Sequence, residues 1–547
     1  MDTKVLQFDK SARLYKKVAQ KKQADGDLIG CLNTYFSAYS QTRDIEILLD
    51  IAEVYIQMEE LDSSNQYLYY YLGSEENSNN ARAYCLLAKN LYNLGDMANA
   101  IQYYDIALQL DVNVFDFELE EQLSKEFAEY EKRKPIRQVY PITANSYKLE
   151  REIAEKFMYS HDMAKAQALY SMLPIEALTL SECEKYFYVC EMTGQLEQAK
   201  KVLKHMKQKF GENFTTCVAS CIYNVAESNL ERANYHYAKA LSLKEENEDC
   251  YLKILNCSGE LQDGQTSKSM LVKLLALRPY DALFHYYYAL LMLWDNDFDN
   301  AKRLFVKAYK LCPDNYVFEF YAKKCLEGDY KTLLRTEDRR LVVGLPSQIE
   351  DEIENEIKKT VKRGTKREFK YGFDIHLNTT LDLAVDGLIF FMYEHKDLDI
   401  KKYNEIMLKY LLKPYENHAV KSTIIYLLVL DDAKRDFAVC QDNSFMWITP
   451  SKIRVSKRQG LEYLRAYASI IYQKEYWSEE KNKEVCTVIN GLFARAKKNK
   501  IVMEYSEICC LSYYFLLGKS PEMLKELCKH YELDNEQIKQ LLDDIMR

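Results

Sequence analysis

Four consecutive segments of the chain share one pattern with a period of 34 residues. They read LSECEKYFYVCEMTGQLEQAKKVLKHMKQKFGEN (180–213), FTTCVASCIYNVAESNLERANYHYAKALSLKEEN (214–247), EDCYLKILNCSGELQDGQTSKSMLVKLLALRPYD (248–281) and ALFHYYYALLMLWDNDFDNAKRLFVKAYKLCP (282–313). The segments begin at Leu180, Phe214, Glu248 and Ala282. We call 180–313 the strict array and number the positions of each repeat from its first residue. A fixed period of this length predicts stacked copies of one supersecondary unit.

The side chains inside each repeat suit two closely packed helices. Position 20 is small and position 24 is bulky, as shown by Ala199, Ala233, Ser267 and Ala301, followed by Leu203, Tyr237, Leu271 and Phe305. A small residue lets two helix backbones approach closely, so we expect a charge at position 20, as in Ala301→Glu, to be costly. Gly194 and Asn296 at position 15 tolerate the left-handed geometry of a turn.

This combination of period, small positions, aromatic positions and proline at position 32 resembles the tetratricopeptide repeat (TPR). The resemblance implies an all-α fold, in which helix pairs stack into a superhelical solenoid. It also implies that the partner is a protein or peptide. In TPR proteins the concave surface is lined by positions 2, 5, 6, 9, 12 and 13 of the first helices.

Repeats in looser register surround the strict array. Residues 12–112 hold three of them, the clearest being Ala81–Val112, and another begins at Tyr147. A basic cluster and two prolines, Pro135 and Pro141, separate these regions. We therefore predict an N-terminal array over 1–131, a joint over 132–146 and a central array over 147–330.

The remainder of the chain departs from the repeat pattern. We predict a linker with a charged helix over 331–370 and a mostly helical domain with a small β-hairpin over 371–547. The hairpin strands are Phe437–Cys440 and Phe445–Thr449, on either side of a turn. The stretch from His418 through this hairpin resembles the rear half of some bacterial TPR proteins of unassigned function, and this resemblance implies no activity.

Composition and charge restrict the class of protein. The net charge is -9 and the pI is about 5.7, which argues against a general nucleic-acid binder. The N-terminus lacks the apolar run of a signal peptide, and no window is apolar enough to span a membrane. Fifteen cysteines in such a chain indicate a reducing compartment, so we expect a cytoplasmic protein with free thiols. Cys183, Cys190, Cys217 and Cys221 occupy inward positions and are expected in the core.

The sequence contains no catalytic, metal or cofactor motif. The histidines are far apart, and H-E-x-x-H, C-x-x-C and G-x-G patterns are missing. The segment 259–266 is one residue from a P-loop, but it lacks the lysine that reaches the phosphates and lies on the turn of the third repeat. We therefore expect no enzyme activity, no metal site and no small-molecule substrate.

Concave positions of the first helices are the candidate partner-binding residues. They are Lys253, Asn256, Leu283, Tyr286, Tyr287, Leu290, Trp294, Phe320 and Tyr321. Chaperone-binding TPR proteins clamp a peptide carboxylate with lysine at position 5 and asparagine at position 9. Leu252 stands at position 5 here, so the clamp is incomplete and that partner class is disfavoured.

The fourth copy and the helix after it form an apolar, aromatic end of the array. We expect this surface to be either a groove for an apolar peptide or helix of a partner or a face covered by the chain's own C-terminal domain. Trp294 and Tyr287 are the expected anchors in both cases.

An interaction scaffold is the leading interpretation of the sequence. One alternative is a regulatory protein whose C-terminal domain binds nucleic acid or carries an activity without a familiar motif. Its support is the basic run from Lys358 to Lys370. Another alternative is a structural subunit of a larger complex.

Overall fold

The computed structural model describes residues 14–74, 77–132, 163–334, 404–414, 435–441, 443–452 and 479–546, with isolated residues between these ranges. The chain divides into two compact units. The first unit comprises Met1–Tyr67 and Ala81–Asp351, and the second comprises Leu68–Asn80 and Glu352–Arg547. The sequence did not predict that the short segment Leu68–Asn80 belongs with the C-terminal half of the chain.

Each repeat of the strict array is a pair of α-helices in the predicted register. The first helices are Leu180–Met192, Phe214–Ala226, Glu248–Glu260 and Ala282–Trp294. The second helices are Leu196–Phe210, Leu230–Leu243, Gly264–Leu277 and Phe298–Leu311. Every first helix begins at position 1. The strict array thus has the TPR architecture, and the predicted fold class is confirmed.

Polar side chains start the helices at fixed positions of the repeat. The residue before each first helix accepts a hydrogen bond from a backbone N–H of the first turn, and these residues are Thr179, Asn213, Asn247 and Asp281. Such caps satisfy amide groups that have no partner inside the helix. The 34-residue period therefore repeats helix boundaries as well as core residues.

The turn within each repeat has one residue with positive φ at position 15. The angles are 69° at Gly194, 57° at Ser228, 56° at Gln262 and 63° at Asn296. Glycine and asparagine adopt this left-handed conformation readily, whereas serine and glutamine do so at a cost. The tertiary arrangement of the two helices imposes the same turn on all four residues.

The small positions lie where the helices of a pair are closest. Ala199, Ala233 and Ala301 are fully buried, and Ser267 is 1% exposed. Ala289 at position 8 of the fourth repeat is also fully buried. In the third repeat the Ser267 hydroxyl lies 2.8 Å from that of Ser258, so a polar atom at position 20 is paired when it is present.

The N-terminal region also consists of paired helices. They cover 14–24, Leu28–Thr42, Glu46–Gln57, Leu61–Leu72, Ala81–Asn93 and Met97–Leu110, with a further helix at Phe117–Lys132. The predicted joint and the start of the next repeat lie almost wholly outside the described residues. The helix Met163–Met172 precedes the strict array, and the helices Tyr316–Glu327 and Tyr330–Leu333 follow it.

Two tyrosines connect the N-terminal helices to the end of the strict array within the first unit. The Tyr55 hydroxyl donates to the carbonyl oxygen of Leu311 at 2.8 Å. The Tyr67 hydroxyl donates to the Asp314 carboxylate at 2.5 Å. These contacts join residues that are more than 240 positions apart, so the end of the array is packed against another part of the chain.

The second unit has a core of its own around a β-hairpin. Its helices include Asn404–Leu411, Glu479–Lys498, Tyr505–Leu516, Pro521–His530 and Asn535–Met546. Strands β1 (Phe437–Gln441) and β2 (Ser444–Ile448) pair antiparallel, which confirms the predicted hairpin. Tyr69 donates to the Asn443 side chain at 3.2 Å, and this contact accounts for part of the Leu68–Asn80 segment in this unit.

Candidate functional site: the concave groove of the strict array

A groove of about 780 Å³ crosses the first three repeats of the strict array. Its walls come from the first helices at positions 2, 5, 6 and 9. These residues include Ser181, Glu184, Lys185, Tyr188, Thr215, Val218, Ala219, Ile222, Asp249, Leu252, Lys253 and Asn256. Side chains one helical turn apart share a face of a helix, so stacked repeats bring equivalent positions into one continuous surface.

The floor of this concave groove is apolar and its rim is partly exposed. Val218 and Ala219 of the second repeat are buried in the floor. Tyr188 at position 9 of the first repeat is 39% exposed, and Leu252 at position 5 of the third repeat is 37% exposed. Apolar side chains that line a concavity and still contact water provide area that a partner can bury.

A network of charged side chains crosses the groove from the third repeat to the first. The Lys253 ammonium lies 2.7 Å from the Glu184 carboxylate and 2.8 Å from that of Asp249. Burial opposes the charge of Lys253, but hydrogen bonds to Asp249 and Glu184 outweigh burial and raise its pKa. Lys253 is thus a cation held in place by two carboxylates, and the groove is polar at this point without a large net charge.

The structure places the predicted site residues in two different environments. Lys253 and Asn256 line the concave groove, and Asn256 is exposed. Leu283, Tyr287 and Trp294 are half-buried. Tyr286, Leu290, Phe320 and Tyr321 are at most 3% exposed, so these four side chains do not form an open surface in this structure. Of the two alternatives for this surface, an open groove formed by these four side chains does not agree with their burial.

Tyr286 shows how this interior is built. Its ring lies 5.0 Å from that of Phe318 and 5.4 Å from that of Tyr321, both on the next helix, between ring centroids. The Phe305 ring of its own repeat is 5.7 Å away. The Tyr286 hydroxyl donates to the Gly344 carbonyl oxygen at 3.1 Å, which satisfies its buried polar atom. These contacts belong to a packed aromatic core.

The sequence analysis did not identify residues of the second repeat as the floor of the groove. Val218, Ala219 and Ile222 occupy positions 5, 6 and 9, the same positions that identified Lys253 and Asn256. The signal was therefore present in the register. It was overlooked because these apolar residues form no recognisable motif, whereas the aromatic residues of the fourth repeat do.

The predicted core thiols and the P-loop-like turn have structural roles. Cys183, Cys190, Cys217 and Cys221 are free and buried. Burial raises the pKa of Cys190 to about 12, so this thiol is not activated as a nucleophile. In the third repeat Asp263 caps the helix that begins at Gly264, so the stretch from Gly259 is a helix–turn–helix connection.

Among the residues that the structure describes, no three histidine, cysteine or acidic side chains are arranged to hold a metal ion. Within the same residues, no helix has the length and apolar character needed to cross a bilayer. The predicted charged helix of the linker and the basic run Lys358–Lys370 lie outside the described residues.

No family model and no curated protein matches the chain. Several solved structures resemble the chain. One is YrrB, a TPR protein with an unusual peptide-binding site, which is 15% identical in sequence. The match covers 46% of this chain and 95% of YrrB, with a TM-score of 0.23. Yeast Tom70 is 13% identical over 95% of this chain and 99% of that chain, with a TM-score of 0.26. The APC/C hetero-tetramer Cut9-Hcn1 is 12% identical over 86% and 95%, with a TM-score of 0.30. These TM-scores are too low to support an argument, so the fold rests on the helices and register described above.

Proposed function

We propose that the chain is a cytoplasmic protein-interaction scaffold, and that the concave groove binds a short extended segment of a partner protein. The observation that carries the proposal is the groove of about 780 Å³, which three successive repeats line at equivalent positions. A pocket that joins an apolar floor to a few polar groups is the usual form of a ligand site.

The dimensions of the groove indicate the length of its ligand. Neighbouring helices pack about 8–10 Å apart, so three first helices span roughly 20 Å. An extended chain covers about 3.3 Å per residue, so the groove accommodates roughly six residues. A peptide of this size lies across the repeats and contacts each of the three first helices.

The lining residues indicate the chemistry of that ligand. Tyr188, Ile222 and Leu252 offer apolar contacts at the surface of the groove. The Asn256 side-chain amide both donates and accepts hydrogen bonds, as a peptide backbone requires. Lys253 forms ion pairs with both Glu184 and Asp249, which favours recognition over proton transfer. We therefore expect a segment with apolar side chains and little net charge, and a binding role without catalysis.

Selection of peptides on the full-length protein tests this proposal. Peptides are selected from a random displayed library, and their affinities are measured by isothermal titration calorimetry. A double variant, Tyr188→Ser with Leu252→Ser, removes two exposed apolar contacts of the groove. We expect it to weaken binding by about tenfold or more, which corresponds to about 1.4 kcal/mol.

The matched control makes the same two replacements outside the groove. Leu230 and Tyr235 lie on the second helix of repeat two, and each is 57% exposed. Leu230→Ser with Tyr235→Ser should leave the affinity unchanged. Equal losses in the two double variants, or no loss in either, would contradict binding in the concave groove.

A further inference from the structure

Charge is distributed very unevenly between the two helices of each repeat. The four second helices carry thirteen lysine or arginine residues and three acidic residues. The four first helices carry two basic and six acidic residues. The whole chain has a net charge of -9, so composition alone does not explain a basic set of second helices.

The densest group of cations lies on the second helix of repeat one. Lys200, Lys201, Lys204 and Lys207 are exposed. Lys204 follows Lys200 by four residues and Lys201 by three, and Lys207 follows Lys204 by three, so all four lie on one side of the helix. We call these four residues the lysine stripe. The opposite face packs inward through Ala199, Val202, Leu203 and Met206, which are buried. The stripe is therefore fixed on an ordered helix and points away from the core.

Most of the lysine stripe has no counter-charge in the structure. Lys200 approaches Glu197 at 3.9 Å, the outer limit of an ion pair. Among the described residues, no carboxylate lies within ion-pair distance of Lys201, Lys204 or Lys207. Like charges placed a helical turn apart repel one another, so an anion on this face would be stabilised.

The neighbouring repeat extends the same positive field. Arg232 is exposed on the second helix of repeat two, and Lys239 lies on the same helix. The Lys207 side chain is exposed but in part desolvated by its neighbours, and this desolvation lowers its pKa. Cys217 and Glu212 act in the opposite direction, and the charge of Lys239 lowers the pKa further. Burial and the charge of Lys207 likewise lower the pKa of His236. The cations of the two helices are thus close enough to affect one another.

The next two repeats show how a lysine of a second helix pairs with a carboxylate. Lys239, at position 26 of repeat two, lies 2.7 Å from Glu212 at position 33 of the repeat before it. Lys273 pairs with Glu246 at the same two positions one repeat later. In both cases a single carboxylate reaches a lysine of a second helix from the neighbouring repeat. His205 replaces lysine at position 26 of repeat one. The exposed lysines of that helix stand instead at positions 21, 22, 25 and 28, and among the described residues no carboxylate of a preceding repeat pairs with them.

We propose that the lysine stripe, together with Arg232, is a second interaction surface that binds an acidic segment of a partner protein. Carboxylates of that segment would pair with Lys201, Lys204 and Lys207 in the way that Glu212 pairs with Lys239 and Glu246 pairs with Lys273. This surface is separate from the concave groove, whose lining comes from the first helices. A partner that engages both surfaces therefore gains affinity from two linked contacts.

A protein segment suits these observations better than nucleic acid does. Exposed residues of the second helix of repeat one include no aromatic side chain on which a base would stack. Double-stranded DNA carries one charge per about 1.7 Å, so a chain of net charge -9 repels it at long range. The two carboxylate–lysine pairs on adjacent repeats show that lysines of second helices form such pairs with protein carboxylates.

The test measures binding of a labelled oligoglutamate peptide to the full-length protein by fluorescence anisotropy over a series of salt concentrations. The variant is Lys201→Glu with Lys204→Glu, which reverses two exposed charges of the stripe. The control is Lys525→Glu with Lys529→Glu, two exposed lysines one turn apart on the helix Pro521–His530, which produces the same change in net charge.

We expect the stripe variant to weaken binding by about tenfold or more at low salt and to reduce its dependence on salt, since two attractive charges become repulsive. The control should stay within about twofold of the unchanged protein, as expected for charges screened at a distance. Peptides selected on the concave groove should bind the stripe variant normally, which separates failure of this proposal from failure of the proposed function. Three results would overturn the proposal of a second interaction surface. They are no binding of oligoglutamate, equal losses of affinity in the variant and the control, or tighter, stripe-dependent binding of a nucleic-acid duplex.

Discussion

The third and fourth repeats of the strict array have the same helices in the same register, yet their concave positions differ in solvent exposure. Position 5 is Leu252 in the third repeat and Tyr286 in the fourth, which are 37% and 0% exposed. Position 9 is Asn256, which is exposed, and Leu290, which is 3% exposed. Position within a repeat therefore determines where a side chain points, and more distant parts of the chain determine whether water or a ligand reaches it.

The different neighbours of the two repeats explain this contrast. Tyr286 contacts Phe318 and Tyr321 on the next helix and bonds to Gly344, a residue well beyond the array. The end of the fourth repeat also receives the hydroxyl of Tyr55 from the N-terminal helices. The first three repeats keep an open groove, so a repeat can serve either as a binding surface or as an internal interface.

The largest effect is expected from a charge at position 20, which is buried in both repeats. Ala301→Glu places a carboxylate where Ala301 is fully buried, and it should destabilise the protein by about 5 kcal/mol. Ala276→Glu, at an exposed position of the third repeat, is the control and should change stability by less than about 0.5 kcal/mol. Urea denaturation followed by circular dichroism measures both. Similar midpoints for the two variants would disprove the repeat register.

Truncation at position 5 tests the comparison of the two repeats directly. Tyr286→Ala removes a fully buried ring and should lower the free energy of unfolding by about 3–4 kcal/mol, because the buried contacts of the ring are lost and a cavity is left behind. Leu252→Ala removes a half-buried side chain from the groove rim and should cost less than about 1 kcal/mol. Thermal unfolding of the full chain provides the measurement. An equal loss at both sites would mean that the fourth repeat is as open as the third.

A carboxyl group next to the junction of these repeats should make stability depend on pH. Burial and the nearby charge of Asp281 raise the pKa of Glu60 to about 7, while Arg278 acts in the opposite direction. Because the pKa is raised in the folded state, the protonated Glu60 contributes to folding stability. This contribution is complete below the ordinary pKa of 4.5 and is lost as the pH rises through about 7. When the pH rises from 5 to 8, the free energy of unfolding of Glu60→Gln should therefore increase by roughly 2 kcal/mol relative to that of the unchanged protein.

The control for this pH dependence is Glu59→Gln, since Glu59 is the exposed neighbour of Glu60. Denaturation midpoints are measured at several pH values for both variants and for the unchanged chain. If the stability of Glu60→Gln follows the same pH curve as the other two proteins, the buried carboxyl does not titrate in this range.

The smallest effect is expected at position 15, where the two repeats should behave alike. Gln262 and Asn296 both have positive φ and are exposed. Gln262→Gly should stabilise the protein by about 0.5 kcal/mol, because glycine adopts this conformation without strain. Asn296→Gly should increase stability by less, because asparagine already tolerates the left-handed conformation. Differential scanning calorimetry checks the order, and a loss of stability at Gln262 would refute the proposed strain.

The fold was largely predictable because its evidence is local and repeated. Each first helix begins where the period places it, and each small position is buried, since Ala199, Ala233, Ser267 and Ala301 meet the same geometric requirement four times. The hairpin was predictable for a related reason, because two apolar runs flank a short polar turn at Asn443. Local side-chain chemistry therefore determines helices, turns and strands across much of the described chain.

The candidate site was only partly predictable. Lys253 and Asn256 lie in the groove as their positions indicated, because the direction of a side chain follows from helical periodicity. Tyr286, Leu290, Phe320 and Tyr321 had equivalent directions but are buried. The same apolar composition suits an open binding surface and an internal core, so the sequence offered no local signal to separate these two states.

The sequence by itself determined the repeat, its helix boundaries and the faces that point inward, because these properties depend on residues within one or two turns of a helix. The tertiary structure alone decided which concave surface stays open. That choice depends on contacts such as Tyr286 with Gly344 and Tyr55 with Leu311, which join residues 58 and 256 positions apart. Such contacts form only when distant segments pack together, and no periodic pattern in the chain encodes their location.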